Sequence, residues 1–272
     1  MTQLTRRQAL GTALAASIAV SAAAASSSTA ASAETQGAAK PTVVLVHGAF
    51  ADASCWKGVI ERLQRKGYAV LAPANPLRGL SADAAGTAAL LATVKGPVVL
   101  VGHSYGGAVI TNAARGNDNV KALVYVAAFI PDEGESAAEL AGRYPGSTLG
   151  ETLRQVPLPG GGTDLYVEQD KFRRQFAHDV PARDAQVMAV TQRPITAAAL
   201  DEPSGATPAW KAVTSWALFG TGDKNIPPAA LRFMAERADA RATVTIKGAS
   251  HAVLVSHPDA VTRLIERAAT GR

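Results

Sequence analysis

Short apolar runs rich in β-branched residues recur along the chain, each bounded by glycine, proline or polar residues. Runs of this kind are typical of buried strands. They lie at residues 42–46, 68–71, 98–101, 122–126, 215–219 and 243–246. Stretches of helical composition fall between most of them, at residues 56–66, 81–94, 105–115, 228–238 and 257–269. This alternation predicts a mostly parallel sheet of about six strands with helices on both faces.

The alternation stops between residues 131 and 209, where no strand-like run is followed by a matching helix. This segment, called the insertion below, is polar and contains the sequence Pro-Leu-Pro-Gly-Gly-Gly at residues 157–162. We predict that it forms a small helical lid, because insertions at the carboxyl ends of strands commonly cover active sites.

The first 33 residues have the pattern of an export signal. Arg6 and Arg7 form a twin-arginine pair, an alanine-rich apolar segment follows, and residues 31–33 read Ala-Ser-Ala, as at a cleavage site. The alternative is a membrane anchor, but the segment is only weakly apolar. We therefore expect a bacterial signal peptide at residues 1–33, recognised by the twin-arginine export machinery, and then a leader at residues 34–40. The mature protein, with one domain at residues 41–272, should be secreted without stable membrane association.

Composition narrows the possible functions. The chain has 272 residues, of which 47% are hydrophobic and 18% charged, with a formal net charge of +5. It has no basic run with interleaved aromatic residues, so nucleic-acid binding is not expected. Its five histidines and single cysteine show no metal-ligand spacing, and no strand is followed by G-x-G-x-x-G. We therefore expect neither a metal nor a cofactor.

The strand-like run at residues 98–101 leads directly into Gly-His-Ser-Tyr-Gly-Gly, which places Ser104 between Gly102 and Gly106. A serine between two glycines, where a buried strand turns into a helix, is the pattern of a nucleophile elbow. Such a turn brings backbone segments so close that only hydrogen side chains fit, and it exposes the serine hydroxyl at a helix N-terminus. Ser104 is therefore the candidate nucleophile for acyl transfer. The alternative is a Gly/Ser turn in a fold that has lost its chemistry.

Four motifs together identify a family resemblance. They are V-H-G-A-F at residues 46–50, G-H-S-Y-G-G at 102–107, G-T-G-D-K-N-I-P at 220–227 and G-A-S-H at 248–251. Over residues 41–270 the chain resembles compact serine esterases of the α/β-hydrolase fold, similar to plant methyl-ester esterases and hydroxynitrile lyases. The resemblance implies that fold and a catalytic triad in the order Ser104, Asp223, His251.

A serine nucleophile needs an imidazole to accept its proton, and five histidines are available. His251 is the expected base, because it follows the last predicted strand in a loop at the carboxyl edge of the sheet. His47 supports the oxyanion loop by resemblance, and strand alternation turns His103 away. His178 lies in the insertion. His257 stands at a helix entry and is a weaker candidate.

The same resemblance implies which residues supply the catalytic acid and the oxyanion hole. Asp223 stands after a strand where the family places its acid, whereas Asp132 occupies the position that some members use instead. The backbone N–H groups of Tyr105 and Ala49 are the expected oxyanion donors, with Phe50 as the neighbouring alternative. Phe50 and Tyr105 are also expected to bind the substrate by lining the acyl pocket, with ordinary packing as the alternative.

We therefore expect a secreted serine hydrolase that cleaves small-molecule carboxylic esters through an acyl-enzyme. Three alternatives remain: a hydroxynitrile-lyase-like activity, a cofactor-free perhydrolase activity, and a ligand-binding member without catalysis. The resemblance disfavours the first, since those lyases carry a lysine after the catalytic histidine and Ala252 stands here.

Overall fold

The computed structural model describes residues 40–272, so the predicted signal peptide and nearly all of the leader lie outside it. The strands are β1 (Thr42–Val46), β2 (Val70–Leu71), β3 (Val98–His103), β4 (Val120–Val126), β5 (Leu153–Pro157), β6 (Thr163–Val167), β7 (Ile195–Thr196), β8 (Ser215–Gly220) and β9 (Ala242–Ile246). The α-helices are α1 (Lys57–Arg65), α2 (Leu80–Thr93), α3 (Tyr105–Ala113), α4 (Ala137–Gly142), α5 (Gln169–Phe176), α6 (Ala182–Thr191), α7 (Ala197–Asp201), α8 (Pro228–Arg237), α9 (Val253–Ser256) and α10 (Pro258–Ala269).

Six strands form the main sheet in the order β2-β1-β3-β4-β8-β9, and every neighbouring pair is parallel. Val101 of the central strand β3 lies opposite Leu45 of β1 and Val124 of β4. All six residues of β3 are buried, as expected for a strand covered on both faces. The predicted parallel sheet of about six strands is confirmed.

The helices flank this sheet in groups: α1 packs against α10, and α2 packs against α3. The five helices predicted outside the insertion are present, and each begins and ends within two residues of its prediction, whereas α9 was not predicted. The strands of the main sheet also differ from their predicted bounds by no more than two residues. The predicted strand at residues 68–71 is shortened to β2, and β3 continues two residues further, through His103.

The insertion contains more strand than we predicted. Besides α4 to α7 it holds a three-stranded antiparallel sheet in the order β5-β6-β7. The glycine-rich sequence at residues 157–162 makes the turn between β5 and β6, where the Leu158 N–H donates to the Gly162 carbonyl at 3.1 Å. The expectation of a purely helical insertion was wrong, because β5 is largely exposed and β7 has only two residues, so neither shows a clear strand periodicity.

The insertion is attached to the rest of the domain by many hydrogen bonds and ion pairs, of which three show where it lies. Arg78 forms a 2.6 Å ion pair with Asp164 of β6. The carbonyl of Arg193 accepts from the N–H of Phe50 after β1, at 3.0 Å. The carbonyl of Phe176 accepts from the N–H of Ala252, at 3.1 Å. The last two contacts place the insertion against the loops that follow β1 and β9, at the carboxyl edge of the sheet.

Candidate active site

Ser104 joins β3 to α3 in a strained backbone conformation, with φ 55° and ψ −125°. A positive φ is unfavourable for a residue with a side chain and persists only where the surrounding structure imposes it. The flanking glycines explain how the turn is accommodated. A Cβ on Gly102 would lie 2.5 Å from the carbonyl oxygen of Gly106, and a Cβ on Gly106 would lie 2.5 Å from that of Val46. The expected strand-to-helix elbow is therefore present, and only glycine fits at positions 102 and 106.

Asp223 and His251 are paired at the carboxyl ends of β8 and β9. The Nδ1–H of His251 donates to Oδ2 of Asp223 at 2.7 Å, and both side chains are at most 1% exposed. The other carboxylate oxygen, Oδ1, accepts the backbone N–H groups of Asn225 at 2.8 Å and Ile226 at 3.0 Å. The carboxylate is therefore fully engaged, and it holds the imidazole in the tautomer that leaves Nε2 unprotonated when the ring is neutral.

The second ring nitrogen of His251 is available for chemistry. His251 Nε2 is buried and has no hydrogen-bond partner within residues 40–272. The ring lies 4.8 Å, between centroids, from that of His103, the residue before Ser104. An unpaired imidazole nitrogen therefore stands next to the elbow, where it could take a proton.

His103 supports the loop that carries His251, a role that sequence reasoning missed. Its Nε2–H donates to the His251 carbonyl at 3.0 Å, because a carbonyl can only accept. Burial lowers the pKa of His103 well below its usual 6.5, so the ring stays neutral. Phe176 of α5 also packs on His251, with ring centroids 4.9 Å apart. The only sequence signal for the contact between His103 and His251 was a histidine at the end of an apolar strand. No sequence signal pointed to the contact between Phe176 and His251.

The loop after β1 brings backbone N–H groups toward Ser104. The N–H groups of Ala49 and Tyr105 have no acceptor among the described residues, and Tyr105 is the first residue of α3. By contrast, the N–H of Phe50 is already used by the Arg193 carbonyl, and Phe50 has a φ of 59°. Ala49 and Tyr105 are therefore free to donate to a bound oxyanion, and Phe50 is not.

His47 orders that loop from within the core. Its Nε2 accepts the backbone N–H of Asn75 at 2.9 Å, so Nδ1 carries the proton and donates to the Gly48 carbonyl at 3.0 Å. The side-chain amide N–H of Asn75 donates to the His47 carbonyl at 3.0 Å. Burial lowers the pKa of His47, which keeps the ring neutral. The ring thus ties the loop before Ala49 to the segment after β2.

Asp132, the alternative acid, is engaged elsewhere. Its Oδ1 forms a 2.5 Å ion pair with Lys211, and it also accepts the backbone N–H of Glu133 at 2.8 Å. The hydrogen bond from Lys211 lowers the pKa of Asp132. Its side chain is 31% exposed and makes no hydrogen bond to His251.

The two remaining histidines also have structural partners. Nε2 of His178 donates to the Gly248 carbonyl at 3.0 Å. Nδ1 of His257 is hydrogen-bonded to the Ser256 hydroxyl at 2.9 Å and lies 3.7 Å from a carboxylate oxygen of Asp179. Among the five histidines, His251 alone has a carboxylate bonded to one nitrogen and the other nitrogen unpaired.

A small, mainly apolar cavity of about 60 Å³ reaches Ser104. It is lined by Ala49, Phe50, Ser104, Tyr105, Phe129, Ala137, Ala138, Ala141, Leu149, Leu200, Asn225 and Ile226. Both aromatic residues predicted to line a pocket are among them. A larger cleft of about 530 Å³ lies on the insertion beside Arg154 and Gln192, but it contains none of the candidate catalytic residues.

Residues 40–272 contain no group of three or more His, Cys, Asp or Glu side chains arranged to hold a metal ion. None of their helices is both long and apolar enough to cross a bilayer.

Comparison with known proteins places these features in a family. A model of the alpha/beta hydrolase family matches residues 43–264. The carbendazim hydrolyzing esterase of Nocardioides sp. (strain SG-4G) is 38% identical over 110 residues, which cover 36% of this chain and 46% of that protein, about half its length. Methylesterase 2 of Arabidopsis thaliana is 26% identical over 175 residues, covering 57% of this chain and 66% of the methylesterase. The crystal structure of polyneuridine aldehyde esterase shares the fold, with a TM-score of 0.73 at 19% identity, over 84% of this chain and 98% of that one.

Proposed function

This chain belongs to the alpha/beta hydrolase family, and we propose that it is a carboxylic ester hydrolase in which Ser104, His251 and Asp223 carry out acyl transfer. Relatives named as esterases support the reaction class. One observation carries the choice of residues: the 2.7 Å bond from His251 to Asp223 leaves the other imidazole nitrogen unpaired beside the elbow.

In the proposed acylation step, Ser104 Oγ forms a bond to the ester carbonyl carbon while its proton passes to His251 Nε2. The Asp223 carboxylate stabilises the resulting imidazolium. The bond between the carbonyl carbon and the alcohol oxygen then breaks, and His251 gives its proton to the departing alcohol. Water attacks the acyl-enzyme by the same route, which releases the carboxylic acid and restores Ser104.

The N–H groups of Tyr105 and Ala49 are the proposed oxyanion donors. Both are unused, and the N-terminus of α3 adds a favourable partial positive charge. A donor of this kind contributes ~3 kcal/mol to transition-state stabilisation. Phe50 and Tyr105 would also contact the bound ester, because both line the cavity at Ser104.

We further propose that the protein is exported by the twin-arginine route and released as a secreted enzyme. Arg6, Arg7 and the Ala-Ser-Ala sequence at residues 31–33 support this proposal.

Hydrolysis of p-nitrophenyl acetate by the Ser104→Ala variant tests the proposed function. We expect a loss of roughly 10⁴-fold or more in kcat with an unchanged melting temperature, because one hydroxyl is removed. Ser54→Ala is the matched control, since Ser54 is an exposed serine that does not line the cavity. Intact-protein mass spectrometry should show a transient acetyl adduct on the parent enzyme and none on Ser104→Ala. If the variant keeps more than about a hundredth of the activity, Ser104 is not the nucleophile.

A further inference from the structure

Residues of the insertion contribute to the wall of the cavity at Ser104. Leu149 follows α4, Leu200 belongs to α7, and Ala141 belongs to α4. Ser104 and the two candidate oxyanion donors, Ala49 and Tyr105, line the same cavity. An ester that places one of its two halves in this cavity therefore brings its carbonyl carbon close to Ser104.

The lining also indicates which half of an ester enters. The alcohol oxygen must receive a proton from His251 Nε2 as it leaves, so the alcohol half has to lie on the side of His251. Neither His251 nor its neighbour Phe176 contributes to the described wall of the cavity. The cavity therefore suits the acyl half, whose chain extends from the carbonyl carbon away from the base.

Volume then sets the length of the acyl chain. An apolar cavity of about 150 Å³ holds benzene, which corresponds to roughly 25 Å³ for each carbon. A cavity of about 60 Å³ holds two or three carbons on the same scale. It is too small for a phenyl ring or a chain of five carbons.

We propose that this enzyme is selective for esters of short carboxylic acids, from acetyl to butyryl, and that Leu149 and Leu200 set the limit. This inference rests on the proposed function, because it treats Ser104 as the atom that receives the acyl group. The alcohol half, which lies outside the cavity, is not selected by it.

Two ester series test the proposal on the mature enzyme. In the first, p-nitrophenol is kept and the acid varies from acetate through butyrate to hexanoate and benzoate. We expect kcat/KM to hold or rise by about fourfold for each methylene up to butyrate, as each is buried. It should then fall by roughly tenfold or more for hexanoate and benzoate, because an overfilled core is strained. In the second series the acid is acetate, and the alcohols differ in size but have the same pKa. We expect kcat/KM to change by less than threefold across this series.

The variant Leu200→Ala should accept longer acyl chains than the parent enzyme. We expect the ratio of hexanoate to acetate kcat/KM to rise at least tenfold, because removal of the side chain enlarges the cavity. Leu149→Ala provides a second enlargement if Leu200→Ala folds poorly. Val190→Ala, at a valine of the insertion that is 68% exposed and outside the cavity, is the control and should leave the ratio unchanged.

The outcomes separate the two proposals. If hydrolysis requires Ser104 but is indifferent to acyl length, or if selectivity appears only in the alcohol series, the acyl-pocket proposal is wrong and the proposed function stands. If Ser104→Ala hydrolyses the esters as fast as the parent enzyme, both fail. A mass increment on Ser104 that follows the acid, with acetate and butyrate trapped and hexanoate trapped only by Leu200→Ala, supports both.

Discussion

The hydroxyl of Tyr105 donates a 3.0 Å hydrogen bond to Oδ2 of Asp83, and both residues are only 1% exposed. Tyr105 follows Ser104 and begins α3, whereas Asp83 lies in the first turn of α2. Burial raises the pKa of Asp83, and the hydrogen bond from Tyr105 offsets part of that rise. The bond therefore fixes the start of α3, and with it a candidate oxyanion donor, to the neighbouring helix.

Tyr105→Phe should destabilise the fold, because it leaves the buried Asp83 carboxyl without its side-chain donor. We expect a loss of about 1–3 kcal/mol in the free energy of unfolding, measured by urea denaturation. Tyr125→Phe is the matched control. Tyr125 is equally buried, but its hydroxyl pairs with Thr111, which keeps a second bond to the Gly107 carbonyl. It should cost about 1 kcal/mol or less, and an equal cost for both variants would contradict a special role for the Asp83 contact.

Asp223→Asn should lower kcat by ~10⁴, because an amide cannot hold His251 in the required tautomer or stabilise its charged form. Asp132→Asn should lower kcat far less, since Asp132 pairs with Lys211 and not with the base. Steady-state kinetics with p-nitrophenyl acetate, alongside melting curves for both variants, makes the comparison. The reverse ranking would assign the acid to the loop after β4.

Stability should fall as the pH drops below about 6.5, owing to His47 and His103. Burial lowers the pKa of both below the usual 6.5. The unfolded chain therefore binds protons near pH 6.5 while the folded chain does not, so acid favours unfolding. Each histidine should contribute a slope of up to about 1.4 kcal/mol per pH unit between pH 6.5 and its lowered pKa.

Urea denaturation at pH 7.5, 6.5 and 5.5 measures this slope. His103→Gln removes one titrating group and keeps a donor for the His251 carbonyl, so its profile should be flatter than that of the parent protein. A parallel profile would show that His103 takes up its proton equally in the folded and unfolded states.

Replacing both Arg6 and Arg7 with lysine should leave the protein inside the cell, because the export receptor reads the arginine pair itself rather than positive charge. The parent protein should appear in the medium with Glu34 as its first residue. Mass spectrometry of medium and membrane fractions gives the answer. An intact Met1 form in the membrane fraction would indicate an anchor instead.

Local sequence was sufficient to identify the elements that hold the candidate site. The order along the chain of the strands in the main sheet, the elbow at Ser104 and the glycines at positions 102 and 106 all depend on short-range patterns. Hydrophobic periodicity and the steric demands of a tight turn act within a few residues, so they can be recognised in the sequence before the fold is known. The candidate residues Asp223 and His251 could be named in advance because each follows a predicted strand and because the resemblance to compact serine esterases implies an acid and a base at these positions.

Tertiary structure decided which of the available side chains meet. Asp83 and Tyr105 are 22 residues apart, and His103 and His251 are 148 apart. The antiparallel sheet of the insertion, with its two-residue strand β7, exists only because its strands satisfy one another's backbone groups. The same packing that buries these polar pairs also leaves about 60 Å³ at Ser104. Such contacts depend on the relative placement of distant segments, which long-range packing sets and local composition does not encode.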